Sequence, residues 1–512
     1  MALSWGGLRE LPASLTAAPA PAPARALLRA ARAFAQPRVA IITLCVIVLA
    51  GFGLRAAQAA DPGRYLSSDE RSYARVAVSI ADHGSYQPAG TRDPWHWAPG
   101  TPVLFAAAHL IAPGLDGDGS PQELRSAFWA QALVGTALII AVYLLAAGIA
   151  GALAGLLAAG LIAFYPPLIR ATGDLISEPL AALTLTLAML ALLAAWRAPS
   201  LRRLGLAGAA LGVALLVRAD LLVLPVVLGA CWPLGARARA GGLRALGQGA
   251  LLAAIPLLIV LPWSVAASAQ AGRIVPIASS GPSTLFVGTY LPGDGRMSGV
   301  REELQLYVRR NITNLHDVRT ANIPGAYVIR AYIRERHPEI IPAPHRAIPE
   351  DRLRAAIAFE ARRNLKTYAL HEPLAFLAMD ARKAARMWAG PYTGRYGARS
   401  GWVRGWHLAL VGLALAGALA GLLVVRRRRG ELALLLVPIL FGTLMSAIFV
   451  AQARHNLKVL PLLVAAGAAG AVLAARAVRE HRRRVIVADP PGEQIVVRDR
   501  RPRPQVTSPA AR

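Results

Sequence analysis

The residues in this sequence best suited to chemistry are ionisable side chains set at the edges of apolar runs. Asp69 and Glu70 stand side by side in "YLSSDERSYARVAVSIADHGSY", directly after the first such run, with Arg71 and Tyr73 behind them. Asp174 and Glu178 stand in "RATGDLISEPLA", and Arg218 and Asp220 in "LLVRADLLVLP". Arg454, His455, Asn456 and Lys458 stand in "VAQARHNLKVLPLL". A carboxylate within hydrogen-bond reach of a hydroxyl can take its proton as the hydroxyl attacks. Arg and Lys can hold a phosphate, Arg through a planar fork. Departure of a charged group also needs fixed positive charge where the new charge develops. Acids and cations at one membrane face therefore suit transfer of a group from a lipid-linked phosphate, whose tail stays in the bilayer.

Other chemistries find no support. No Walker A pattern is present, and "LPGDGRMSG" has the wrong glycine spacing for a dinucleotide loop. The ten histidines are scattered without ligand spacing, so no resident cofactor or metal is indicated, and divalent-metal dependence is left open. Cys45 and Cys231 both fall inside apolar runs, which implies neither a disulfide framework nor a thiolate site. A net charge of +28 could suggest nucleic acid, but the compact arginine clusters lie beside apolar runs, where the positive-inside rule puts them. Nucleic acid is therefore not expected as a partner.

The elements that must position these groups are membrane helices. Of 512 residues, 55% are hydrophobic, and the mean hydropathy is +0.45. Apolar runs cover 39–54, 101–112, 127–147, 152–166, 180–196, 204–217, 221–234, 250–267, 406–425, 432–450 and 457–475. The arginines near the N-terminus, at 197–203, at 237–244, at 426–429 and at 482–484 can all be cytoplasmic only if one early run does not cross. The run at 101–112 is that one: as helix it covers about 18 Å, short of a hydrocarbon core of about 30 Å. It is expected to lie in the outer interface. The fold class is thus an all-α polytopic membrane protein of about 10 spans, or 11 if 101–112 crosses. With that parity every acid at a span boundary faces outside. Four sequence-distant charged groups on one face mark a functional site, because charge near membrane depth is expensive.

The expected organisation follows. Residues 1–36 form a disordered cytoplasmic N-terminus and 477–512 a disordered basic cytoplasmic tail, both Arg-rich with little to bury. Residues 37–268 form a membrane domain whose first outer loop is 59–125, and 406–476 form the C-terminal membrane helices. The first run has an A-x-A-like sequence after it, but its long basic flank and Arg55 favour an uncleaved anchor. Residues 269–405 form a mainly helical extracytoplasmic domain, suited to acceptor recognition or to covering the site. Trp388, Trp402 and Trp406 are expected as interfacial anchors.

These stretches resemble a known group of enzymes. "SSDERSYARVAVSIADHGSY", "DPWHWAPGTPVLFAAAHL", "GDLISEPLAALTLTLAML", "LLVRADLLVLP", "LPWSVAASAQAGRIVPIASSGPSTLFVGTY" and "ARHNLKVLPLL" occur in the order of the GT-C superfamily of polyprenyl-phosphate-dependent glycosyltransferases. The chain is most similar to glycosyltransferase family 39, the protein O-mannosyltransferases, and to the aminoarabinose transferases. It departs where Ser264 and Val265 replace Arg-Asn and His455 replaces a tyrosine. The resemblance implies a GT-C-type bundle in the plasma membrane, with its active site on the extracytoplasmic face. It also implies direct displacement with inversion, commonly without an obligatory metal. Asp69 would be the general base and Glu70 its support or a contact to the acceptor. Arg218, Arg454 and Lys458 would meet the donor phosphate, with His96 near the glycan. Arg71, Tyr73, Trp97, Asp174, Glu178, Asp220 and His455 complete the candidate substrate site. The implied partners are a polyprenyl-phosphate sugar donor, a glycan, lipid or protein acceptor, and membrane lipids. A transporter or flippase of lipid-linked glycans is the alternative, but it calls for ionisable residues near the midplane on broken helices.

Overall fold

The computed structural model describes residues 36–61, 66–88, 93–116, 124–311, 325–338, 350–393 and 401–488. Among them there is no strand. The N-terminal stretch before residue 36 and the tail from residue 489 lie outside the described residues. In chain order the helices are α1 (Pro37–Ala60), α2 (Ser68–His83), α3 (Gly100–Ile111), α4 (Arg125–Ala150), α5 (Ala152–Ala163) and α6 (Pro166–Ala171). Then follow α7 (Glu178–Arg197), α8 (Leu201–Val217), α9 (Leu224–Ala240), α10 (Gly242–Ala271), α11 (Gly281–Thr289) and α12 (Met297–Asn311). The series ends with α13 (Gly325–Arg336), α14 (Glu350–His371), α15 (Pro373–Trp388), α16 (Gly401–Val424), α17 (Arg429–Ile448) and α18 (Leu460–Ala488). The last helix thus runs on past residue 476, into the stretch expected as tail.

Among the described residues, seven helices are long and apolar enough to cross a membrane: α1, α4, α7, α10, α16, α17 and α18. The apolar α5, α8 and α9 complete a multi-pass bundle. At 12 residues α5 is short, but the chain only bends at Tyr165–Pro166 and continues as α6. The 12-residue α3 has no such continuation, and at about 18 Å it is too short to cross. Its first residue, Gly100, packs on Leu216 and Val217 at the end of α8. Close backbone contact joins α16 to α18, where a Cβ on Gly417 would strike Gly467 and one on Gly470 would strike Gly417. Small residues let membrane helices approach in this way.

Arg55 is fully buried inside α1. Its guanidinium donates to the carbonyls of Gly51 (2.9 Å), Ala163 (3.1 Å) and Ile162 (3.2 Å). It thereby serves the unsatisfied C-terminal carbonyls of α5, at the negative end of that helix's dipole.

The bundle has two chemically distinct ends. At one, Arg197 donates to Glu431 (2.7 Å) and to the Gly148 carbonyl (2.7 Å), and Arg428 donates to Glu431 (2.7 Å). Glu431 corrects the expectation that every boundary acid faces outside: it sits on the arginine end as a counter-ion. The opposite end carries Asp69, Asp174, Glu178, Arg218 and Arg454. Beyond it, α11 to α14 form their own core of Phe286, Val300, Leu304, Ile333, Leu353 and Ile357. Helix α15 returns to the bundle, where Met387 joins the main core. Trp388 donates to Thr443 at 3.1 Å and packs inward, unlike the exposed Trp402 and Trp406.

Orientation is open to direct measurement. In a background lacking Cys45 and Cys231, a cysteine at Ser283 is expected to label from outside the cell. One at Gly430 is expected to label only after permeabilisation. Outside labelling at Gly430 would reverse the assignment of the two ends.

Candidate active site

The first functional side chain is placed by a helix start. Ser67 caps α2 and accepts from the backbone N–H of Glu70, while Glu70 accepts in return from the Ser67 N–H (2.9 Å) and Oγ (2.5 Å). This reciprocal capping box fixes the first turn, which carries Asp69. The apolar face of α2, with Tyr73, Ala74 and Ala77, packs on Phe105, Ala127 and Phe128 of α3 and α4. Gly84 ends the helix at φ 62°, a conformation that suits glycine.

The other charged groups sit on turns at the same end. Glu178 is the first residue of α7, where a helix N-terminus favours a carboxylate. Arg218 caps the C-terminus of α8 with extended backbone, where a cation is favoured, and a single turn at Ala219–Leu221 follows. Arg454 and His455 lie in the turn Ala453–Asn456 ahead of α18. That turn is pinned to the end of α15, because Asn456 donates to the Met387 carbonyl at 2.8 Å.

These turns converge. Arg454 donates to Asp69 at 2.9 Å, and its Nε lies 3.5 Å from Glu178. Arg218 donates through Nη1 to Glu178 (2.9 Å) and Ser177 (3.0 Å). Its Nη2 and Nε face the two oxygens of Asp220 at 3.1 and 3.4 Å. Lys458 donates to the same Asp220 carboxylate. Glu178 and Lys458 are buried, whereas Asp69 keeps 30% of its side-chain surface. Burial alone would raise the pKa of Asp220, but Arg218 and Lys458 outweigh it and hold the carboxyl well below its usual range. Burial pulls Lys458 down while Asp220 works to keep it charged. His455 is held well below an ordinary histidine by burial and then by Lys458, Arg218 and Arg454, so its ring is neutral at neutral pH.

Other candidates fall around this network. Glu70 is buried, and one oxygen accepts from the Leu175 N–H at 3.0 Å while the other serves Ser67. It ties α2 to the turn before α7. Tyr73 is buried and stacks on Trp97 with ring centroids 4.9 Å apart. His96 meets Trp97 edge-on at 4.5 Å. Asp174 is buried and accepts from the Tyr392 hydroxyl at 2.8 Å. Arg71 is exposed and is not drawn into the network.

Sequence reasoning missed three contributors. Ser177 accepts from Arg218 at 3.0 Å, and Tyr392 holds Asp174. Asp93 joins the first outer loop to the outer domain: Arg354 (2.8 Å), Arg273 (3.0 Å) and Ser279 (2.8 Å) all donate to it. The signal for Tyr392 was an aromatic in "AGPYTG", between an amphipathic helix and a span. Asp93 stands directly before the proline of "DPWHW" and gave no comparable signal.

Known proteins match this chain by family over part of its length and by fold over most of it. The family model described as dolichyl-phosphate-mannose-protein mannosyltransferase matches residues 119–265. That stretch holds Asp174, Glu178, Arg218 and Asp220, but neither Asp69 nor Arg454. The apo form of the Archaeoglobus fulgidus oligosaccharyltransferase aligns with a TM-score of 0.51 at 16% identity, over 88% of this chain and 52% of that one. The same organism's AglB, in complex with an inhibitory peptide and a dolichol-phosphate, gives 0.49 at 17% identity, over 88% and 52%. ArnT from Cupriavidus metallidurans bound to undecaprenyl phosphate gives 0.36 at 15% identity, over 88% and 79%. The chain therefore spans about half the length of the archaeal proteins. Among curated proteins no relative matches significantly. The family match and the shared fold agree with the GT-C resemblance read from the sequence.

Proposed function

We propose that the chain is an integral membrane glycosyltransferase of the plasma membrane. It moves a sugar from a polyprenyl-phosphate donor to a hydroxyl of a glycan, lipid or protein on the extracytoplasmic side. The observation that carries this reading is the 2.9 Å contact between Asp69 and Arg454. It puts a partly exposed carboxylate against a cluster of cations at one end of an apolar bundle. Asp69 takes the proton of the acceptor hydroxyl as its oxygen attacks the anomeric carbon. The bond from that carbon to the phosphate oxygen breaks, and the electron pair leaves with the lipid phosphate. Arg218, Arg454 and Lys458 stabilise the charge that collects there. One displacement inverts the anomeric centre. Arg454 serves both halves, since it orients Asp69 and lies beside the leaving group.

The roles of the surrounding residues follow from their placement. Glu70 is a positioning residue, because its oxygens serve the α2 cap and Leu175. Tyr73, His96 and Trp97 form an aromatic wall on the acceptor side. Membranes containing the chain, given radiolabelled polyprenyl-phosphate sugars, are expected to move label onto an acceptor. Label crossing the bilayer still attached to its lipid would make the chain a flippase. No movement of label with any donor would leave it without catalytic function.

A further inference from the structure

The cations assigned to the donor phosphate are not idle: they converge on an acid of the same chain. Asp220 receives the fork of Arg218, two positions before it, and the ammonium of Lys458, 238 positions after it. A guanidinium fork meets a carboxylate and a phosphate in the same bidentate geometry. Asp220 therefore stands where a phosphate held by these two side chains would stand. It is also the accessible member of the group, with 29% of its side-chain surface exposed against 16% for Arg218 and 2% for Lys458. It sits in a one-turn link between α8 and α9, so it can swing away without unwinding a span.

We propose that Asp220 is a surrogate anion, which holds Arg218 and Lys458 in phosphate-binding geometry and is displaced when the donor phosphate arrives. The inference rests on the reading of those two cations as phosphate holders. Arg218 keeps Glu178 as a second carboxylate partner at 2.9 Å, so Asp220 can leave without stranding the guanidinium. The same acid also competes with the lipid phosphate, so the product polyprenyl phosphate is released instead of being trapped on a bare cationic site. Asp220 thus opposes binding of the donor phosphate that the network exists to hold.

The test is binding of polyprenyl monophosphate to the full chain in phosphatidylcholine nanodiscs. Asp220→Asn keeps the shape and one acceptor oxygen while removing the charge. It is expected to bind the lipid phosphate about tenfold to a hundredfold more tightly than the parent, the effect of removing one like-charge contact. Turnover is expected to fall through slower product release, with KM for the donor falling as well. Weaker or unchanged binding by folded Asp220→Asn would overturn the inference and make Asp220 an ordinary structural or binding residue. Arg218→Gln in the same titration separates the two readings, and it is expected to bind less tightly. If it binds like the parent, the phosphate assignment itself fails and takes the surrogate with it. If it weakens while Asp220→Asn does not tighten, only the surrogate fails.

Discussion

Asp69→Asn is expected to lower turnover by roughly 10²–10⁴, the usual share of general-base catalysis. A hydroxyl is a poor nucleophile at neutral pH, so its proton must leave as it attacks. The amide keeps the shape of Asp69 and still offers an oxygen to Arg454, at 2.9 Å in the parent. What it loses is basicity. Donor binding should change little, because Arg454 retains Glu178 as a second partner at 3.5 Å. Expression and thermal unfolding should stay near the parent, since Asp69 is only half-buried and the amide keeps its shape in the first turn of α2. Glu70→Gln should behave differently. It should cost stability through the α2 cap more than it costs the chemical step. Near-normal turnover in folded Asp69→Asn would remove the base from Asp69.

Arg218→Ala is expected to raise the donor KM about tenfold to a hundredfold. Each charge-assisted contact to the phosphate contributes about 1.5–3 kcal/mol. The alanine variant also leaves the buried Glu178 carboxylate without its 2.9 Å partner. Breaking a buried pair on one side costs about 3–5 kcal/mol of stability, so unfolding must be measured alongside kinetics. Arg218→Lys separates the two effects. It keeps a charge near Glu178 but cannot face Asp220 or a phosphate with two parallel donors. It should recover most of the stability and only part of the donor affinity. Arg454→Ala should weaken donor use and slow the chemical step together, because one guanidinium serves both. Donor affinity unchanged in Arg218→Lys and Arg454→Ala would take these side chains out of the phosphate site.

The charged groups were legible in the sequence because apolar runs make every exception conspicuous. Asp69, Arg218 and Arg454 stand at run boundaries, and the arginine clusters at the other boundaries set the parity that brings them to one end. The pairing among them was not legible. Nothing in the spacing says that Arg454 meets Asp69 or that Lys458 shares Asp220 with Arg218, since these contacts depend on how the spans pack. Glu70 carried a signal that was overlooked: Ser67-x-x-Glu70 is a capping-box pattern, and it points to a helix start. Glu431 escaped because a lone acid inside a run of arginines reads as solvated. Only the packing of Arg197 and Arg428 against it shows a counter-ion. Tyr392 and Asp93 lie in connections whose partners come from distant helices, and no local period marks them.

The central claim is a single displacement at the anomeric carbon, driven from Asp69, and its product records it. A polyprenyl-phosphate sugar of known configuration, carrying ¹³C at the anomeric carbon, would be supplied to the chain in proteoliposomes with its acceptor. The one-bond carbon–proton coupling at that carbon reports both the transfer and the configuration of the new bond. The account predicts labelled product with the configuration inverted. Product with the configuration retained would require two displacements and a covalent sugar on the protein, and would contradict Asp69 as the base of a direct attack.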